Sequence, residues 1–234
     1  MQGFRSKTQF NSLLLLGHIL CLTYIVFAAI FYVERAIYID TGNQILEMTN
    51  DGTFSIFVKR YSMALHQVLP LLAIKAGLNL SSVIFLYSIS FPLLVYAAFL
   101  ISYRKFENYT AAFLFFFTLS AAAQTFFHAI SETMQVILLS AFLYGWLEYM
   151  AAQKFQLNRW VQFPVTTALI LLVFFMHPVS VFFIGFVLVY FALDHELYRH
   201  PLPYFGMAVL LVLLAAKLLT TGESSHDAGF FEEL

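Results

Sequence analysis

The chain has 234 residues, of which 61% are apolar, 18% aromatic and only 11% charged, with a formal net charge of −1. A water-soluble domain carries about 25% charged residues, so this composition excludes an ordinary soluble fold. Near-neutral charge with scattered basic residues gives no footprint for nucleic acid, and the one cysteine, Cys21, leaves no intrachain disulfide.

The apolar residues fall in unbroken runs without period-two alternation, which predicts membrane helices and not an outer-membrane barrel. Arg5 and Lys7 precede the first run, 13–33. That run exceeds the ~7–15 residues of a signal-peptide core and reads as a retained span. A span needs ~20 mostly apolar residues, and six further runs qualify: 82–102, 110–127, 134–151, 160–176, 178–193 and 203–220. The expected fold is therefore an all-α, polytopic membrane helix bundle of about seven spans, one transmembrane domain over 1–220.

Segment 160–193 is one helix or two. As one it would be about 50 Å long, well beyond a ~30 Å hydrocarbon core. Pro178 disfavours helix at His177 and suits a new first turn, so the reading is two short spans.

With the N-terminus inside, Arg5, Lys7, Arg104, Lys105, Lys154, Arg159 and Arg199 lie on the inner side. Arg35, Lys59, Arg60, Lys75 and the end-of-span Lys217 lie on the outer side, the bias expected of a cytoplasmic N-terminus. The chain is placed in a bacterial cytoplasmic membrane. Residues 221–234 form an outer-side tail that a longer protein would continue.

The first outer loop, 34–81, is expected to carry interfacial helices. "GNQILEM" precedes an "NDG" turn. Phe57, Tyr61, Leu65, Val68 and Leu72 then recur at helical spacing, opposite Lys59, Ser62 and His66. Pro70 is expected to kink that helix and Gly77 to end it.

Four stretches bring ionisable groups to one outer level: Glu34, Arg35 and Asp40; Lys59, Arg60 and His66; His128 and Glu132; and His177. Charges at such depth must pair or face water, which marks a functional cavity. Each has a plainer reading. Glu34 and Arg35 also mark a membrane boundary, Lys59 and Arg60 also suit lipid phosphate, Glu132 also suits a helix first turn, and the histidines suit backbone contacts. His18, alone in the first span, reads as a helix-contact residue.

The layout resembles that of the GT-C glycosyltransferases, polytopic enzymes that use lipid-phosphate-linked sugars. One N-terminal span, a long outer loop and six further spans carry the resemblance, with "ERAIYID", "KRYSMALHQVLP" and "FFMHPVS" as local patterns. It implies transfer of a sugar from a polyprenyl-phosphate donor to an acceptor on the non-cytoplasmic face. The acidic residue of the first outer loop, the catalytic base or site organiser in that family, maps onto Asp40, with Glu34 competing. Arg35, Lys59 or Arg60 would hold phosphate, and His66, His128, Glu132 and His177 would line the donor pocket. The same groups are candidates for a divalent metal ion. The rival readings are a non-catalytic membrane subunit with a protein partner and a small transporter.

Overall fold

The computed structural model describes residues 7–37, 39–57, 59–108, 112, 114–115, 126, 132–153, 156, 158–196 and 200–220. Its regular structure is entirely helical among these residues. The helices are α1 (Lys7–Ile30), α2 (Tyr32–Ala36), α3 (Ile39–Asp51), α4 (Ala64–Lys75), α5 (Leu80–Arg104), α6 (Glu132–Ala152), α7 (Arg159–Phe174), α8 (Ser180–Asp194) and α9 (Pro201–Thr220), with a 3-10 turn over Tyr61–Met63.

Three of them, Leu80–Arg104, Thr133–Ala152 and Pro201–Leu219, are long and apolar enough to cross a membrane. Leu14–Ile30, Arg159–Phe174 and Ser180–Asp194 are apolar but shorter. The expected span 110–127 falls largely outside the described residues.

The chain divides into two compact units. The first holds residues up to Ser55, His66–Lys105 and Tyr109–Ser131. Here α1 packs along α5, and α2 and α3 lean on α5 as well. Gly17 makes the α1–α5 approach close, since a Cβ there would meet the Phe99 ring at 2.8 Å. His18 is a helix-contact residue: its Nδ1 lies 3.0 Å from the Tyr96 hydroxyl, and its ring meets Phe99 edge-on. Beneath α3, Ile45 and Met48 pack with Ala73, Val83 and Tyr87.

The second unit holds Ile56–Leu65, Phe106–Asn108 and everything from Glu132. Helices α6, α7, α8 and α9 enclose a core that includes Leu143, Leu147, Ile170, Ile184, Leu188 and Phe191. Trp146 satisfies its buried indole N–H on Thr166 Oγ1 at 3.0 Å.

Local chemistry explains several helix ends. Asn79 caps α5 by accepting from Ser82 N–H at 2.9 Å, and Asn158 caps α7 by accepting from Trp160 N–H at 3.0 Å. Helix α4 closes in a Schellman arrangement: Leu78 N–H donates to Ala73 O and Gly77 N–H to Ile74 O, both at 3.0 Å, with Gly77 at φ +70°. Gly77 was the stop expected from the sequence. The break within 160–193 also occurs, with α7 ending at Phe174 and α8 starting at Ser180.

Two expectations are corrected. The first apolar run is not one helix to Val33; α1 stops at Ile30 and α2 restarts at Tyr32. The helix expected from Phe57 begins only at Ala64. Phe57, Tyr61, Val68 and Leu72 are exposed, whereas Ser62 and His66 are buried. In an apolar surrounding the greasy stripe turns outward and polar groups find partners within.

Candidate functional site

Arg35 anchors the first unit. It is wholly buried in α2, and its Nε donates to Ser88 Oγ at 2.9 Å while Nη2 reaches the Ser88 carbonyl at 3.4 Å. Nη1 donates to the carbonyl of Phe126, whose ring lies under the guanidinium, 4.6 Å from its carbon. Ser88 Oγ passes its own proton to Ala28 O at 2.7 Å. Burial pushes the Arg35 pKa below its ordinary value, partly offset by Tyr24. A guanidinium keeps its charge even so. The cation is engaged in fastening α2 to α5.

Glu34 and Asp40 differ from Arg35 in facing outward, and both are exposed. Asp40 sits in the first turn of α3, where a carboxylate complements the helix dipole. The buried side of α3 is held by a polar network that sequence reading missed. Gln44 Oε1 accepts from the Tyr87 hydroxyl at 2.5 Å and from Gln67 Nε2 at 3.2 Å. Gln67 in turn clamps the backbone of Ser55, accepting its N–H at 2.9 Å and donating to its carbonyl at 2.8 Å. Ser55 Oγ donates to Glu47 Oε2 at 2.7 Å. His66 is buried against the edge of the Tyr87 ring. The one available signal was Gln67, a glutamine in a stretch otherwise rich in apolar residues.

The second unit carries Lys59, Arg60, Glu132 and His177. Lys59 is exposed at φ +58°, in a turn closed by Arg60 N–H on Phe57 O at 2.9 Å. That turn is tied to the α7–α8 break, because Ser62 N–H donates to Phe175 O at 3.3 Å and the Tyr61 and Phe175 rings meet edge-on. Lys59, Arg60 and His177 thus belong to two segments that are bonded together.

His177 also shapes the break. Its Nδ1 accepts from Val179 N–H at 3.2 Å, and its carbonyl accepts from Ser180 N–H at 3.0 Å. His200 repeats the device before α9, its Nδ1 accepting from Leu202 N–H at 3.3 Å. Both are His-Pro dipeptides ahead of a helix: Pro201 is the first residue of α9 with His200 as its cap, whereas Pro178 and Val179 form a turn before α8 begins at Ser180. Burial and the nearby Arg159 cation lower the pKa of His200.

Glu132 opens α6, and His128 lies outside the described residues. The expected outer-level residues therefore fall into two groups. Glu34, Arg35, Asp40 and His66 belong to the first unit, and Lys59, Arg60, Glu132 and His177 to the second. An open groove in the second unit, lined by Trp160, Phe163, Pro164, Leu171 and Phe205 with Arg159 beside them, offers an almost wholly apolar surface. Compared with known proteins, the chain matches no family model, no curated protein and no solved structure.

Proposed function

We propose that the chain is a multi-pass membrane glycosyltransferase that takes a sugar from a polyprenyl-phosphate donor on the non-cytoplasmic face. The observation that supports this most is the setting of Asp40. Its carboxylate is exposed at the start of a helix whose other face is locked by the Gln44–Gln67–Tyr87 network. A base must be held in place and still reach the acceptor hydroxyl it deprotonates. Asp40 meets both requirements, and Glu34 lacks the network beneath it.

The donor phosphate gains charge as the glycosidic bond breaks, and cationic side chains lower that cost. The resemblance offers Arg35, Lys59 or Arg60 for this role, and Arg35 is already engaged in packing. In the bilayer, seven spans with a cytoplasmic N-terminus would present α3 outside, which matches the excess of Lys and Arg in the other loops.

A second reading, a non-catalytic membrane subunit, is favoured by one feature. Leu15, Ile19, Leu22 and Val26 form an exposed apolar stripe along α1, which suits a partner helix as well as lipid. Ligand protection separates the two. A polyprenyl-phosphate sugar raises the melting temperature of the enzyme, and Lys59→Ala with Arg60→Ala removes the rise. A scaffold shows no rise in either form.

A further inference from the structure

At the far ends of α6 and α8 from Glu132 and His177, three potential metal ligands converge within the second unit. Their ligand atoms, from Glu148, Asp194 and His195, all lie within 4.8 Å of one another. His195 Nε2 is 2.6 Å from Glu148 Oε1 and 4.0 Å from Asp194 Oδ2. Glu148 lies sixteen residues along α6 from Glu132, roughly 24 Å at 1.5 Å per residue. Within the second unit the cluster is therefore remote from Glu132, and the inference does not rest on the transferase reading.

We infer that Glu148, Asp194 and His195 form a binding site for a divalent first-row metal ion of the zinc type. Electrostatics comes first. Asp194 is the last residue of α8, and Glu148 lies near the end of α6. Carboxylates are disfavoured at helix C-termini, where the backbone dipole is already negative. Two carboxylates and two helix C-terminal regions gathered at one point make a strong preference for a cation.

Ligand chemistry narrows the choice. One imidazole and two carboxylates suit zinc better than magnesium or calcium, which select all-oxygen sites. Ligands about 2.0–2.1 Å from a tetrahedral ion stand about 3.3–3.4 Å apart. The separations of His195 Nε2 from the two carboxylates, 2.6 and 4.0 Å, bracket that value, and shifts below an ångström bring each pair to it. Glu148 and Asp194 are incompletely buried, which leaves an entry path.

The surroundings hold the ligands in place. Tyr144 stands beside Glu148, and the Phe191 ring packs against the His195 imidazole at 5.0 Å. Such outer contacts orient ligands and sharpen affinity. On binding, the ion replaces the proton between Nε2 and Oε1, and the imidazole proton moves to Nδ1 or leaves to solvent.

The test is a Zn²⁺ titration of the untagged chain in detergent micelles, read by calorimetry, with Mg²⁺ as competitor. The expected result is one saturable Zn²⁺ site that excess Mg²⁺ does not displace. His195→Ala abolishes it, Asp194→Asn at the exposed position weakens it, and Tyr144→Phe weakens it about tenfold or more through the outer contact. Melting temperature without metal reports folding of each variant. Absence of saturable binding, or equal binding by well-folded Asp194→Asn and His195→Ala, overturns the site.

Discussion

The Arg35 guanidinium donates to Ser88 Oγ at 2.9 Å, and that hydroxyl donates onward to Ala28 O. Three helices, α1, α2 and α5, meet in this relay, and the two partners are not equivalent. Arg35→Met leaves Ser88 with its acceptor and fills the space with an apolar chain. Ser88→Ala leaves a buried cation short of a partner, which costs about 1–3 kcal/mol or more for a charged group. Thermal unfolding in detergent is therefore expected to rank Ser88→Ala below Arg35→Met. The reverse order would mean that the cation itself, and not its satisfaction, holds α2 to α5.

The His200 cap gives a pH dependence with a definite sign. Its folded-state pKa is depressed, first by burial and then by Arg159, so the folded protein favours the neutral imidazole. Protonation at Nδ1 would also remove the acceptor for Leu202 N–H. Stability from this group is present above the unfolded-state pKa of 6.5 and declines as pH falls below it, levelling once the folded form is protonated. Melting temperature measured between roughly pH 7.5 and 5, where imidazoles titrate, is expected to fall toward acid. His200→Asn keeps a capping acceptor without the titration and reduces that slope.

Close approach of α9 depends on Gly206. A Cβ there would lie 2.8 Å from Leu188 Cδ2 and 3.5 Å from Ile170 Cδ1, whereas at Gly185 the nearest atom is Leu210 Cδ2 at 3.9 Å. Gly206→Ala forces Leu188 to move and is expected to cost ~1–3 kcal/mol, as overpacking does. Gly185→Ala fits ordinary contact and is expected to be neutral or slightly stabilising through helix propensity. Paired melts of the two variants check the difference.

These features were unequally legible in the sequence. The break at His177-Pro178 and the stop at Gly77 could be read because their causes lie within a few residues: a proline's lost donor and a left-handed turn. The inward side of 57–72 could not be read, because the periodicity of Val68 and Leu72 marks a stripe without saying which medium it meets. Arg35 looked like a phosphate ligand because its position after an apolar run says nothing of Ser88, fifty-three residues away. The contact between Glu148 and His195 spans forty-seven residues, and only the packing of α6 on α8 creates it. Local chemistry is written locally; the partners of buried ionisable groups are not.

Asp40→Asn removes a base while keeping side-chain size, so it tests the proposed transfer directly. The measurement is turnover of a polyprenyl-phosphate sugar by the reconstituted protein, alongside its melting temperature. We expect turnover to fall by about 10²-fold or more, the scale of general-base catalysis, with the melting temperature held near that of the parent. Unaltered turnover in a folded Asp40→Asn protein would contradict the assignment of Asp40, and no turnover by the parent would contradict the transferase itself.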